Sequence, residues 1–154
     1  MGVFDESICD CCVCPMQCVL KELMDMNQSI DDIFTVTGSV SNPSIIEVRD
    51  FIVFTDQGVI PISKINFICL PVPSISLNLK PIKKSTGDCS CCEDPTTNLA
   101  NSLKGEVMNI EIIGFGFDPF KIADVGEGVI IGEETGNQQV GVISSCFVTR
   151  IFPL

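Results

Sequence analysis

The chain has 154 residues and a net charge of −11, and its one lysine cluster, Lys80, Lys83 and Lys84, is too small to form the basic face that a nucleic-acid backbone requires. It contains no histidine and no nucleophile or phosphate-loop motif, so we expect no enzymatic activity and no cofactor. Hydrophobic residues make up 45% of the chain and charged residues only 19%, which indicates a folded protein with apolar surface for contact with other subunits.

The beginning of the chain predicts neither a signal peptide nor membrane insertion. Residues 1–6 are acidic and lack the apolar middle of a signal peptide. No apolar run approaches the roughly 18–20 residues that span a bilayer. We therefore expect synthesis in a reducing cytosol, which conflicts with a load of ten cysteines.

Residues 1–14 are predicted to be a cysteine-rich arm without regular structure. With Cys18 they supply an N-terminal cysteine cluster, and a second cluster lies further along the chain. Polar neighbours predict that both clusters are exposed, as cross-links between subunits or as metal ligands. The cross-link candidates are Cys9, Cys11, Cys12, Cys14, Cys18, Cys89, Cys91 and Cys92.

Geometry favours cross-links over a metal without excluding either. In an extended segment Cys11 and Cys12 point to opposite sides, which suits bonds to two different neighbouring chains, with the second cluster as acceptor. The alternative is a thiolate metal site formed by Cys11, Cys14 and Cys18, whose spacings resemble those of zinc ligands. The missing histidine and the C-x-C-C spacing of the second cluster weaken that alternative. Plain reduced thiols are a third possibility.

Residues 15–70 are predicted to form a helix and a first small β-domain. An apolar stripe recurs at three- and four-residue spacing and predicts an amphipathic helix that ends near Asn27; its members are Met16, Val19, Leu20, Leu23 and Met26. Apolar runs separated by turn signals then predict several short strands as far as residue 70.

Residues 71–98 are predicted to be a connector rich in proline, lysine and cysteine, and residues 99–154 a second β-domain. The two domains share a pattern: a strand, valine–x–acid, an apolar run, a turn, a second apolar run and V/I-x-x-I. In that pattern Val125 corresponds to Val48, and residues 129–131 correspond to residues 52–54. The repeat predicts a tandem duplication.

The two remaining cysteines, Cys69 and Cys146, lie in apolar runs that read as strands. Free cysteine commonly behaves as a small buried hydrophobe. We therefore expect both residues to be reduced and buried.

Two stretches resemble known families. The helix followed by short strands, with Ile46-Glu47-x-x-Asp50-Phe51-Ile52-Val53 and Ile65-x-x-Ile68, resembles the Sm-like barrel over residues 30–70 and 100–153. The N-terminal run Cys-Asp-Cys-Cys-Val-Cys-Pro-Met-Gln-Cys is similar to short cysteine-rich proteins of bacterial endospores. These resemblances imply a mainly β fold of two tandem, bent Sm-like (SH3-like) barrels with a short N-terminal helix. The RNA-binding Lys-His pair of the Sm-like bacterial RNA chaperone is replaced here by Ile62 and Ser63, so RNA binding is not expected.

The endospore resemblance implies a structural protein of the spore surface, in the coat, the exosporium or an appendage fibre. Such a homo-oligomeric subunit would be made in the mother-cell cytoplasm, self-assemble by strand and barrel packing, and be locked by disulfides between subunits. Its partners would be copies of itself and other spore-surface proteins, with no nucleic acid and no membrane. The competing hypothesis is the thiolate metal-binding module.

Overall fold

A computed structural model describes residues 11–74, 76–82, 87, 89–113 and 115–154. Within these ranges the helices are α1 (Val13–Asp25), α2 (Cys89–Cys92) and α3 (Asp94–Ser102), and 3₁₀ turns occur at Ile62–Lys64 and Ser145–Phe147. The strands are β1 (Asp32–Thr35), β2 (Ser39–Ser41), β3 (Ile45–Arg49), β4 (Ile52–Thr55), β5 (Gly58–Pro61), β6 (Ile65–Pro71), β7 (Val107–Ile112), β8 (Phe115–Gly126), β9 (Val129–Glu134), β10 (Gln139–Ser144) and β11 (Val148–Pro153).

Helix α1 confirms the predicted apolar stripe. Four of its five residues, Met16, Val19, Leu20 and Leu23, are buried in the core that the helix shares with the strands that follow it. The fifth, Met26, is 61% exposed, because the helix ends at Asp25. The helix ends where Asn27 adopts a left-handed φ of 51° and the Gln28 amide donates to the Leu23 carbonyl. Its start lies earlier than predicted, because Cys12 takes a left-handed conformation and the helix begins at Val13.

The strands form two antiparallel sheets. The larger has eight strands in the order β11-β7-β8-β9-β10-β6-β1-β2, and the smaller has three in the order β3-β4-β5. The larger sheet therefore runs through both halves of the chain and crosses between them where β6 pairs with β10. At that junction Ile68 lies opposite Val142 and Cys69 lies opposite Gly141.

We call residues 11–71 the first half and residues 89–154 the second half. In the second half the strands are ordered β11-β7-β8-β9-β10. The corresponding strands of the first half follow the same order but are divided between two sheets, as β6-β1-β2 and β3-β4-β5. Ile52 pairs with Arg49 and Val129 with Gly126, so β4 and β9 each follow a two-residue turn. A 3₁₀ turn also precedes the last strand of each half. The two halves thus repeat one succession of elements.

The mainly β class is confirmed, but the described strands form open sheets and not closed barrels. In the first half the element that corresponds to the long strand β8 is divided into β2 and β3, which belong to different sheets. In the second half β10 pairs with β6 of the other half and not with β11. The two tandem Sm-like barrels therefore remain a prediction.

The predicted connector, residues 71–98, contains regular structure. Helix α2 holds three cysteines of the second cluster, and α3 begins at Asp94 with Pro95 in its first turn, where a missing amide hydrogen is tolerated. Helix α3 packs on the second half through Ala100, which is fully buried.

Two hydrophobic cores meet at the junction between the halves. The first contains the buried face of α1 together with β6 residues Ile68 and Leu70, and it also receives Val140 and Val142 from β10. The second contains residues of the second half and receives Phe67 and Cys69 from β6. Alternate side chains of β6 thus lie in different cores. Because each core contains residues from both halves, neither half can bury its apolar surface without the other.

Candidate functional site: a disulfide clamp between the halves

Two disulfides join the N-terminus of α1 to the second half of the chain. Cys11 is bonded to Cys89 with a Cα–Cα distance of 5.3 Å, and Cys12 is bonded to Cys146 with a Cα–Cα distance of 6.1 Å. The bonds close loops of 78 and 134 residues. Adjacent cysteines thus hold two separate elements of the second half, α2 and the second 3₁₀ turn. We call these four residues with Glu93 the clamp.

Glu93 lies at the centre of the clamp and is only 4% exposed. Its carboxylate Oε2 accepts a hydrogen bond of 2.7 Å from the Cys12 amide at the start of α1. A negative charge at this position also interacts favourably with the positive end of the helix dipole. The Glu93 amide donates to the Cys89 carbonyl, so the residue is hydrogen-bonded to the backbone of one cysteine from each disulfide.

Two buried hydroxyl groups complete the polar interior of the clamp. Ser145 Oγ lies 3.5 Å from the Cys12 sulfur and 3.1 Å from Thr97 Oγ1. Because a disulfide sulfur carries no hydrogen, Ser145 must donate to Cys12, and Thr97 must then donate to Ser145. The orientation of both hydroxyls therefore depends on the oxidised state of Cys12.

Gly128 closes the clamp from the turn between β8 and β9. Its φ of +67° is a left-handed conformation, and a Cβ atom added there would lie 3.1–3.3 Å from Pro15, Cys12 and Glu93. Its carbonyl accepts a hydrogen bond from the Ser145 amide. Glycine at this position satisfies both the backbone conformation and the close packing.

The structure corrects the prediction for three cross-link candidates. Cys11, Cys12 and Cys89 were predicted to bond between subunits, and each is instead in a bond within the chain. The reason is that α1 starts at Val13, so Cys11 and Cys12 at its N-terminus lie against α2 and the 3₁₀ turn of the second half. Cys12 is consequently 3% exposed, whereas the polar neighbours had predicted an exposed arm.

Cys146 is a second correction, because the expectation of a buried, reduced thiol is wrong. It lies in the second 3₁₀ turn and not in a strand, and it is the partner of Cys12. Cys69 does meet the expectation: it is a buried thiol in β6. Burial, assisted by the negative charges of Asp32, Glu134 and Asp31, raises the pKa of the Cys69 thiol to about 12. The thiol therefore stays protonated and unreactive near neutral pH.

The other candidates are divided between bonded and reduced cysteines. Cys14 is bonded in a disulfide and 5% exposed. Cys18 is a half-buried thiol, and Cys91 and Cys92 are exposed thiols on α2. Cys9 lies outside the described residues.

The metal ligands predicted from spacing, Cys11, Cys14 and Cys18, do not form a group of converging ligand atoms among the described residues, and Cys11 and Cys14 are both in disulfides. Potential ligand atoms do converge in the clamp. Those of Cys11, Cys89 and Glu93 lie within 4.8 Å of one another, as do those of Cys12, Glu93 and Cys146. Sequence reasoning missed Glu93 and Ser145; the available signal was an acid directly after the second cysteine cluster.

Fold and site together define a cysteine-rich, mainly β protein whose two halves share one sheet and are joined by disulfides within the chain. Comparisons with protein-family models, curated proteins and solved structures find no match. Among the described residues, each helix is too short or too polar to cross a bilayer.

Proposed function

We propose that this chain is a non-catalytic, self-assembling structural subunit of the bacterial spore surface, in the coat, the exosporium or an appendage fibre. The observation that carries the proposal is the clamp, with two disulfides that close loops of 78 and 134 residues. Disulfides of this kind persist in oxidising surroundings and not in a reducing cytosol. A subunit made reduced in the mother cell would form these bonds when it is oxidised, after that cell lyses.

The proposed fold of the subunit is a pair of tandem Sm-like barrels that have opened where they join. Three observations support it: the shared strand order of the halves, the two-residue turn before β4 and β9, and the 3₁₀ turn before each last strand. Partners in this proposal are further copies of the chain and other spore-surface proteins.

Covalent locking between subunits would then use thiols that the clamp does not consume. Cys91 supports this role because it is an exposed thiol on α2, two residues from the clamp cysteine Cys89. A disulfide from Cys91 to another chain would leave the clamp intact. Assembly and folding would thus depend on different cysteines.

The test is electrophoresis in detergent without and with reductant, beside electron micrographs of the oxidised protein. We expect a ladder of multimers that collapses on reduction and weakens in Cys91→Ser. The matched control is Cys69→Ala, which removes a buried thiol and should leave the ladder unchanged. An unaltered ladder in Cys91→Ser contradicts the role of Cys91. An oxidised protein that stays monomeric at every concentration contradicts self-assembly.

A second candidate function, a thiolate metal-binding module, is favoured by the convergence on Glu93. Reduction of both disulfides would release four thiols around one buried carboxylate, a donor set that suits zinc. Protein purified under strict reducing conditions should then hold about one zinc per chain. Glu93→Gln should lower that content, whereas Glu106→Gln, at an exposed acid, should not. Zinc-free reduced protein would rule this candidate out.

A further inference from the structure

Each of the two strands that pair at the junction between the halves has a corresponding strand in the other half of the chain. At the junction, β10 of the second half pairs with β6 of the first. The strand of the first half that corresponds to β10 is β5, and the strand of the second half that corresponds to β6 is β11. Each of these is the last strand of its sheet, with one edge free of any partner strand in the described part of the chain.

The correspondence is fixed residue by residue by the 3₁₀ turns. These begin at Ile62 and Ser145, and each separates the two strands concerned, so a position in this part of the first half corresponds to one 83 residues later. At the junction Val142 lies opposite Ile68. The counterpart of Val142 is Val59, and the counterpart of Ile68 is Ile151.

Burial differs sharply between the junction and its counterparts. Val142 and Ile68 are both 0% exposed, because the two strands cover each other and extend into the first core. Val59 is 58% exposed, and Ile151 is only half-buried at the margin of the second core. An exposed β-branched residue on an open strand edge is a template for pairing with another chain.

We propose that β5 of one copy pairs antiparallel with β11 of the next copy in the register of the internal junction, with Val59 opposite Ile151 and Gly58 opposite Phe152. Val59 would then enter the second core of the neighbouring copy, as Val142 enters the first core within the chain. This inference rests on the proposed self-assembly and specifies its interface.

The interface is head-to-tail, because the two pairing surfaces on each copy are different. An interface of this kind repeats from copy to copy and gives a closed ring or an open filament, according to whether the rotation between copies closes. It requires none of the clamp cysteines, so each copy keeps both disulfides within itself.

The test uses two charge substitutions, Val59→Lys and Ile151→Glu, with sedimentation velocity of the oxidised protein as the readout. Each variant alone places a charge opposite an apolar side chain at every contact, so each should sediment as a monomer. In a one-to-one mixture the two variants can alternate. One contact then joins two unaltered edges, and the next places the introduced lysine opposite the introduced glutamate, where opposite charges across strands attract. The mixture should therefore regain species of dimer size and above.

The matched control is Ile46→Lys, because Ile46 is 66% exposed on β3, away from both proposed edges. It should assemble as the wild type does. Amide hydrogen exchange of the assembled wild type gives a second readout, with new protection expected in Gly58–Pro61 and Val148–Pro153.

If both edge variants assemble as the wild type does, or if only Ile46→Lys fails to assemble, the proposed interface is overturned and the proposed self-assembly still stands. Failure of the mixture to recover, together with unprotected β5 and β11 amides in the wild-type assembly, also overturns it. A wild type that does not assemble at all overturns both the interface and the proposed function.

Discussion

The two halves of the chain are held together in two places that differ in chemistry. At the sheet junction, β6 and β10 bury apolar side chains, and the rings of Phe34, Phe67 and Phe115 form a cluster with centroid distances of 4.2–5.1 Å. At the clamp, covalent bonds surround a buried carboxylate and two hydroxyls. The junction depends on packing that reductant does not touch, whereas the clamp depends on redox state. Cohesion of the halves and sensitivity to reduction are therefore separate properties.

The largest effect is expected at the junction. Phe67 is fully buried and its ring contacts both other aromatic rings, so Phe67→Ala should cost about 3–5 kcal/mol of unfolding free energy. Phe115→Ala is the control, because Phe115 is 43% exposed and its truncation should cost clearly less. Urea unfolding measures both variants. Equal losses would show that the junction is not more tightly packed than its margin.

Removal of one clamp disulfide should come next. The double substitution of Cys12 and Cys146 by serine should lower the unfolding free energy by about 2–4 kcal/mol, since it restores freedom to the unfolded chain. The loss should be smaller than for an isolated loop of 134 residues, because the Cys11–Cys89 bond already shortens that loop. In reductant, wild type and variant should unfold at nearly the same urea concentration. A difference that persists in reductant would assign the loss to packing and not to the bond.

Glu93→Ala should have an intermediate effect on the clamp. It leaves the buried Cys12 amide without its acceptor, which should cost about 1–3 kcal/mol. Glu93→Gln keeps an acceptor oxygen and should recover part of that loss. The exposed acid Glu106 supplies the control, and Glu106→Ala should be nearly neutral in the same urea experiment. An equal loss in the alanine and glutamine variants would contradict the role of the hydrogen bond.

The smallest effect distinguishes the buried thiol at the junction from the bonded cysteines of the clamp. The pKa of Cys69 is raised from 9.0 to about 12 in the folded chain, so the unfolded chain loses this proton first. The stabilising contribution is complete below pH 9 and declines as the pH rises toward 12. At pH 10 the wild type should have lost about 1 kcal/mol relative to pH 8 from this group, a loss that Cys69→Ala should lack. Identical pH profiles of the two proteins would contradict the burial of this thiol.

Local features of the fold could be predicted from the sequence because they depend on neighbouring residues. The stripe of Met16, Val19, Leu20 and Leu23 predicted α1, and the repeated apolar pattern predicted equivalent positions for Ile52 and Val129. Both positions begin strands after two-residue turns. The periodicity of apolar residues indicates which face of a helix or strand is buried, and that periodicity depends only on residues close together in the sequence.

The clamp could be predicted only in part. The second cysteine cluster was the expected acceptor for Cys11, but in a neighbouring chain, and no local pattern joins residues that are 78 and 134 apart. Cys69 and Cys146 occupy similar apolar runs, yet Cys69 lies within a strand and Cys146 in a 3₁₀ turn at the end of one. Hydrophobicity does not distinguish these positions, and only the tertiary fold brings Cys146 to Cys12. Disulfide connectivity is not fixed by spacing for the same reason.

The most direct test of the account follows the disulfides in the assembled protein with isotopes. Reduced unlabelled chains and reduced nitrogen-15 chains are mixed, allowed to assemble and oxidise, and mapped by mass spectrometry without reductant. The clamp bonds are followed in Cys91→Ser, because Cys89 and Cys91 lie on one peptide. In that variant the peptide pairs that join Cys11 to Cys89 and Cys12 to Cys146 should be wholly light or wholly heavy, whereas the wild type should also give light–heavy hybrids through Cys91. Hybrids in the two clamp pairs would show that those bonds run between subunits, and would contradict a clamp that closes within each chain.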